Sequence, residues 1–350
     1  MALKDIIGQE RAVNILQGCI AKERIPHALL FAGDEGIGKK LTAVNFVKAL
    51  NCNKTVKKPG SEEVMELLPL TSSLPDSITP SLPDSCDACS SCTKTEKRNH
   101  PDVFFIEPEG DGEQITVAAI RELEEALRYK PFEGNYKAAV IDQADRMNAA
   151  AANAFLDTLE APPPQSILIL ISARPEMLLP TIRSRCQRIN FNPLPLHVMC
   201  ALIQERSHKV SREHAMLLGE LSGGRLGYAM QEDLIEQRDH AFTTLKDMIN
   251  RTDEEEGGDM KELLDSLQVW LRDMAVFKAT GRSDLLINRD REDEMTALLR
   301  GAALEGILKL ARELYNIRKN MYFSLNEKLT RNYINLLIRK RLGRIHAGKQ

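Results

Sequence analysis

The stretch from Ala28 to Thr42, ALLFAGDEGIGKKLT, constrains the fold more than any other part of this chain. Its first five residues form an apolar run that reads as a short buried strand. Gly33, Gly36 and Gly38 follow, then Lys39, then a helical pattern to about Leu50. Strand, glycine-rich loop and helix in that order make a cradle for nucleotide phosphates. The glycines let backbone N–H groups turn toward the phosphate oxygens, and Lys39 reaches the β and γ phosphates. The helix N-terminus adds its dipole. The spacing satisfies G-x-x-x-x-G-K-[ST] except at the last position, where Lys40 stands in place of the hydroxyl that binds Mg²⁺. Thr42, half a turn further on, is poorly placed to replace it. The competing reading is a glycine-rich turn in an ordinary α/β domain, which the flanking strand and helix disfavour.

Alternation of strand and helix continues downstream. An amphipathic helix over 3–23 precedes the loop, with Val13, Ile15, Leu16 and Ile20 among its apolar positions. VFFIEP at 103–108 reads as a second strand, 116–128 as a helix starting at Thr116, and KAAVID at 137–142 as a third strand. Asp142 closes that strand, where an acid can hold Mg²⁺ directly or through water. The next residue is Gln143, which can hydrogen-bond a water but cannot take its proton at neutral pH. Lys40 and Gln143 thus both depart from what hydrolysis needs. A helix through NAFLDTLEA is stopped by three prolines at 162–164. SILILIS at 166–172 is a fourth strand, and Ser172 at its end is placed to touch a γ phosphate. In PTIRSRCQRINF, Arg185 is either a surface charge or a finger offered to a phosphate. From Pro193 the strands stop. Helical patterns over 195–242 are broken by LSGGRLGYA, an acidic stretch from Asp253 to Asp259 marks a boundary, and about 260–342 is helical throughout.

Seven cysteines and a net charge of −3 narrow the rest. The opening MALKDIIGQERAV is too charged for a signal peptide. No apolar run approaches the ~20 residues of a membrane helix. A cytoplasmic protein with no membrane partner is expected. In a reducing compartment the cysteines point to metal or free thiols over disulfides. Cys86, Cys89 and Cys92 form two overlapping C-x-x-C pairs, and Cys52 can supply a fourth ligand, which fits a closed tetrahedral Zn²⁺ site. Free surface thiols are the alternative; His100, in HPD before a strand, reads more simply as a turn. Residues 54–85 are rich in Ser, Pro and Leu and carry SLPDS twice, at 73–77 and 81–85. They read as an inserted, extended excursion. The acidic balance excludes a molecule drawn to DNA by its overall field. Beyond Glu327 only basic charges occur, from Lys328, Arg331, Arg339, Lys340 and Arg341 to Arg344 and Lys349. They read as a solvated helix face, with a polyanion contact as the minority reading.

Taken in order, RIPHALLFAGDEGIGK, the cysteine cluster, HPD, VIDQADRMNAAAANAFLDTLEAPP and LLPTIRSRC resemble the bacterial clamp-loader family of AAA+ proteins. The resemblance covers essentially the whole chain, with WLRDMAVFKATGRSDLLIN and NMYFSLNEKL matching the family's helical collar more loosely. It implies an α/β P-loop AAA+ domain over 1–192, an all-helical lid over 193–245 and an all-helical collar over 255–345 that holds an oligomer together. It implies partners: gamma/tau and delta subunits, and, through the complex, the sliding clamp and primed DNA. By the same resemblance Arg185 is a trans-acting arginine finger, and Gly33, Gly36, Gly38, Lys39, Asp142 and Ser172 are a degenerate nucleotide site. ATP and Mg²⁺ binding in this subunit is then weak or absent, and its link to DNA polymerase III is by association. Hydrolysing relatives carry Thr or Ser at Lys40, Glu at Gln143, and a lid arginine where GGRLGYA puts Gly227, with Arg225 two residues early. Those losses fit the delta-prime branch. A catalytically active gamma/tau-like ATPase is the alternative, and a stand-alone nucleic-acid-binding zinc protein a remoter one. The family's spacer after the first cysteine is short, whereas 33 residues separate Cys52 from Cys86 here. Loop-closure entropy grows slowly enough to permit that.

Overall fold

A computed structural model describes residues 1–54, 83–109, 114–207, 210–230, 234–250, 259–299, 302–321 and 326–342. Most of the insertion at 54–85, the acidic stretch up to residue 258, and Arg344 and Lys349 lie outside them. Two compact units emerge, Met1–Pro195 and Leu196–Gln350.

The first unit is built on runs that are buried from end to end. It contains, in order, α1 (Glu10–Ala21), β1 (Ala28–Ala32), α2 (Lys39–Asn51), α3 (Ser90–Glu96), β2 (Val103–Ile106), α4 (Val117–Leu127), β3 (Lys137–Ile141), α5 (Ala149–Glu160), β4 (Ser166–Ser172), α6 (Pro180–Arg185) and β5 (Gln187–Asn190). Every residue of β1, β3 and β4 is buried, the signature of a parallel sheet covered on both faces. The five strands lie in the order β2-β3-β4-β1-β5, with every pairing parallel. Side chains alternate between faces. Leu29 and Phe31 join Leu16, Phe46 and Val47 in one apolar layer. Ala28 and Leu30 join Ile120, Phe155 and Ile182 in the other. This is the α/β class expected, a parallel sheet with the glycine-rich loop between β1 and α2.

Three local differences stand out, and two have plain causes. The helix expected over 3–23 is a 3₁₀ turn at Leu3–Asp5 followed by α1. Gly8 separates them at φ 75°, and a Cβ there would lie 1.9 Å from Leu194 Cδ2. Only glycine fits that turn. The short helix α3 was not anticipated. Nor was β5, whose QRIN has one buried residue in four; it is an edge strand, and pairing with β1 supplies what its own pattern lacks. Helix starts follow the sequence more closely. Thr116 accepts from the Ala119 N–H at 3.3 Å and Asn148 from the Ala151 N–H at 2.8 Å, each an N-cap satisfying an orphan donor.

The second unit is helical among the described residues: α7 (Leu196–Arg206), α8 (Arg212–Leu221), α9 (Leu226–Ala229), α10 (Leu234–Asn250), α11 (Met260–Thr280), α12 (Glu292–Leu298), α13 (Leu304–Asn320) and α14 (Glu327–Leu342). Its core gathers on α10, α11, α13 and α14 around Trp270. That ring stacks on Phe242 at 4.1 Å and donates to the Arg238 carbonyl at 3.1 Å, so its polar edge is satisfied. Asp273 is fully buried and accepts from the Asn288 N–H at 2.7 Å and its Nδ2 at 2.9 Å. The two buried polar residues of the 270–288 stretch are therefore one hydrogen-bonded unit. None of the described helices is long and apolar enough to cross a membrane.

Candidate nucleotide site and cysteine cluster

The P-loop leaves β1 at Gly33, where a Cβ would lie 2.5 Å from the Phe191 carbonyl oxygen. Gly36 and Gly38 hold φ 77° and 97°, and α2 begins at Lys39. Lys39 is buried and its ammonium donates to the carbonyls of Gly33 and Asp34. Burial lowers its pKa, against the pull of Glu35, Asp142, Asp34 and Asp145. Thr42 donates to the Gly38 carbonyl at 2.9 Å and so closes the first helical turn.

Lys40 reaches across to the sheet. Its Nζ lies 2.9 Å from Asp142 Oδ2 and 2.9 Å from Glu107 Oε1. Burial works against the charge, but the hydrogen bonds to Glu107 and Asp142 outweigh it and raise the Lys40 pKa. The Lys40 bond, ahead of all else, lowers the Glu107 pKa. Register puts the two acids side by side: Ile106 pairs with Ile141, and the Asp142 N–H donates to the Ile106 carbonyl. Asp142 Oδ1 accepts from the Gln143 N–H at 3.0 Å. Gln143 itself sits at φ 47°, in the left-handed region. Ser172, fully buried at the end of β4, donates to Asp145 Oδ1 at 2.6 Å.

The cysteine cluster closes as a set. The Sγ atoms of Cys52, Cys86, Cys89 and Cys92 all lie within 4.8 Å of one another. A tetrahedron of ~2.3 Å Zn–S bonds needs about 3.8 Å between sulfurs, so the four thiols form a donor set able to hold a metal ion. Backbone N–H groups already face the sulfurs: Cys86 N donates to Cys52 Sγ at 3.4 Å and Cys92 N to Cys89 Sγ at 3.5 Å. The Ala88 N–H, the largest influence, helps bring the Cys86 pKa down to about 6, whereas burial raises that of Cys92. His100 stays outside the cluster, with Nδ1 accepting from the Asp102 N–H and Nε2 3.2 Å from Ser91 Oγ. Asp102 in turn accepts from the N–H groups of Phe132, Glu133 and Gly134. HPD is therefore a turn that anchors the 132–134 loop.

Sequence reasoning missed what fastens the cluster to the P-loop helix. Lys48 of α2 has no exposed side-chain surface, and its ammonium meets Asp87 at 2.7 Å, the Met1 carbonyl at 3.0 Å, and Glu96 of α3. No local pattern marks a lysine as buried. Glu107 did carry a signal, since it ends VFFIE as Asp142 ends KAAVID.

Arg185 is the last residue of α6, with β5 following. Its Nη2 lies 2.5 Å from Glu160 Oε1 at the end of α5, and its Nη1 donates to the Thr181 carbonyl at 3.0 Å. The side chain is 35% exposed. The end of NAFLDTLE and the end of IRSR are thus joined by one ion pair. Arg225, in the second unit, lies 4.4 Å over the Tyr228 ring and donates to the Ser222 carbonyl.

Known proteins give this arrangement its family. A Bacillus subtilis (strain 168) protein, DNA polymerase III subunit delta', is 33% identical over 215 residues, covering 61% of this chain and 56% of that protein. Its Pseudomonas aeruginosa counterpart is 31% identical over 201 residues, covering 57% of this chain and 53% of that protein. B. subtilis DNA polymerase III subunit tau is 30% identical over 188 residues, covering 54% of this chain and 28% of that protein. The matched part of the chain spans about half the length of the two delta' relatives. The family model described as "DNA polymerase III, delta subunit" matches residues 8–70 and 70–195, nearly all of the unit that holds the P-loop, the cysteines and Arg185, and this chain belongs to that family.

Proposed function

We propose that this chain is a delta-prime-like subunit of a DNA polymerase III clamp loader, working in the cytoplasm. It joins gamma/tau and delta subunits, supports ATP-dependent placement of the sliding clamp on primed DNA, and hydrolyses little or no ATP itself. One combination carries this: a delta-family match over the P-loop unit, together with Lys40 and Gln143 at the two positions where hydrolysis needs a hydroxyl and a carboxylate. Identity to tau is 30% over 188 residues, but those two residues weigh against an active gamma/tau-like motor.

Other parts take roles consistent with this. Arg185 serves as an arginine finger for a neighbour's ATP site; its guanidinium is half-exposed, and its pair with an exposed Glu160 is weak enough to exchange for a phosphate. Cys52, Cys86, Cys89 and Cys92 hold a structural Zn²⁺. Residues 1–192 are the AAA+ domain, 193–245 the lid and 255–345 the collar. Leu329, Tyr333 and Leu336 of α14 are exposed at 68%, 53% and 63% with i, i+4, i+7 spacing, an apolar stripe suited to packing against another subunit.

Mixing the purified chain with gamma/tau and delta and measuring mass by light scattering tests the assignment. A complex of defined stoichiometry containing this chain is expected. Failure to associate overturns it, as does steady-state ATP turnover by the isolated chain that Lys39→Ala abolishes.

A further inference from the structure

Carboxylates at the ends of adjacent parallel strands repel one another unless a cation stands between them. Glu107 ends β2 and Asp142 follows β3, fixed side by side by the Ile106–Ile141 pairing. In a hydrolysing P-loop the residue after the motif lysine gives a hydroxyl to Mg²⁺, and an acid at a strand end holds the same ion. Here that residue is Lys40, and its ammonium lies 2.9 Å from each of the two carboxylates. Arg98 sits on the far side of Glu107, with Nη1 2.7 Å from the same Oε1. The row Arg98, Glu107, Lys40, Asp142 alternates in sign.

We propose that Lys40 is a tethered substitute for the divalent cation, occupying the metal's place between P-loop and sheet so that this site excludes metal–nucleotide complexes. This rests on the chain being a non-hydrolysing subunit, and it adds the cause and its reversibility. The neighbouring groups support it. Asp142 has both oxygens engaged, Oδ1 by the Gln143 N–H and Oδ2 by Lys40. Lys39 donates to loop carbonyls and Ser172 donates to Asp145. The side chains of Lys39, Lys40, Asp142 and Ser172, which a Mg²⁺–triphosphate would draw on, are thus all bonded within the chain. A metal entering between Lys40 and Asp142 would meet an ammonium at contact distance, a repulsion that solvent screens incompletely at a partly buried site. Removing that ammonium and restoring a hydroxyl is then the single change needed to admit the metal.

The test uses the full-length chain, Mn²⁺ and ATP. Bound Mn²⁺ is followed by electron paramagnetic resonance, and ATP by equilibrium dialysis with and without EDTA. The wild type should hold no ATP-dependent Mn²⁺. Lys40→Thr, verified as folded by its melting curve, should bind Mn²⁺–ATP at least tenfold more tightly, and EDTA should erase the gain. Adding Asp142→Asn to Lys40→Thr should erase it too. A folded Lys40→Thr with no gain overturns the proposal. So does a wild type that holds ATP-dependent Mn²⁺ and loses it on Asp142→Asn, a measurement that stands even if Lys40→Thr does not fold. Metal–ATP binding without turnover in the wild type would defeat only this inference; turnover, or failure to join gamma/tau and delta, would defeat the functional assignment itself.

Discussion

Arg185→Ala separates stability from function sharply. In the folded chain the guanidinium has two partners, Glu160 Oε1 at 2.5 Å and the Thr181 carbonyl at 3.0 Å. Arg185 is 35% exposed and Glu160 55% exposed. Pairs this exposed contribute about 0–1 kcal/mol, and the Glu160 carboxylate left behind is solvated rather than buried. The substitution should therefore lower the melting temperature of the P-loop unit by no more than about 4 °C. An arginine finger, by contrast, contributes ~10³-fold or more to phosphoryl transfer at the site it serves. In a complex reconstituted with gamma/tau and delta, Arg185→Ala should assemble normally and lose clamp- and DNA-stimulated ATPase and clamp loading. The loss of total ATPase should be partial, because one subunit borders only one of several ATP sites. Arg185→Lys should not rescue it, since an ammonium lacks the planar fork. Glu160→Gln, which frees the guanidinium without removing it, should leave ATPase at or above wild type. A reconstituted Arg185→Ala complex that loads clamps at the wild-type rate would make Arg185 a surface charge and refute the assignment.

Further outcomes can be checked separately. Metal analysis should return about one zinc per chain, and replacing any one of Cys52, Cys86, Cys89 or Cys92 with Ser should lower thermal stability; a metal-free protein indifferent to chelator would refute this. Deleting residues 55–82 should leave that zinc bound if the segment is only a spacer. Tyr333→Asp with Leu336→Asp on α14 should preserve the melting curve of the isolated chain and block assembly, as read by size-exclusion chromatography; unimpaired assembly would refute the stripe as a contact. The Lys40 bond lowers the Glu107 pKa below the ordinary 4.5. The stabilisation is present above pH 4.5 and is lost as pH falls through the lowered value. Glu107→Gln should therefore flatten the acid side of the melting-temperature profile below about pH 4.5; an unchanged profile would deny the coupling.

Where a signal was local, it could be read in the sequence. β1, β3 and β4 announce themselves because strands buried on both faces are continuous apolar runs, and α4 and α5 because Thr116 marks the start of one and the prolines at 162–164 the end of the other. The glycines and Lys39 were legible through spacing alone, and so were Cys86, Cys89 and Cys92. Where pairing or burial decides the outcome, the sequence is nearly silent. QRIN becomes a strand only because β1 offers an edge, and the 3–23 pattern breaks only because Gly8 passes under Leu194. Lys48 looks like any helix-surface lysine until α3 and Asp87 close over it. Lys40 was legible as a missing hydroxyl, but its bond to Glu107 depends on the register of β2 against β3.

The P-loop and Arg185 differ in how their polar groups are satisfied, and that difference has a consequence for how chemistry could be lost without losing the fold. Leaving a buried polar group unpaired costs about 1–3 kcal/mol, more for a charge. Around the P-loop the side chains that would face this chain's own nucleotide have internal partners: Lys39 with the Gly33 and Asp34 carbonyls, Lys40 with Asp142 and Glu107, Ser172 with Asp145. The strand–loop–helix thus stays folded on its own bonds and needs no ligand to complete them. Arg185 stands at a helix end with one weak, solvated ion pair, so giving it up costs little. On the proposed role β4, α5 and α6 would still have to carry that arginine, and the fully buried layer of Leu168, Leu170, Phe155 and Ile182 holds those elements in register.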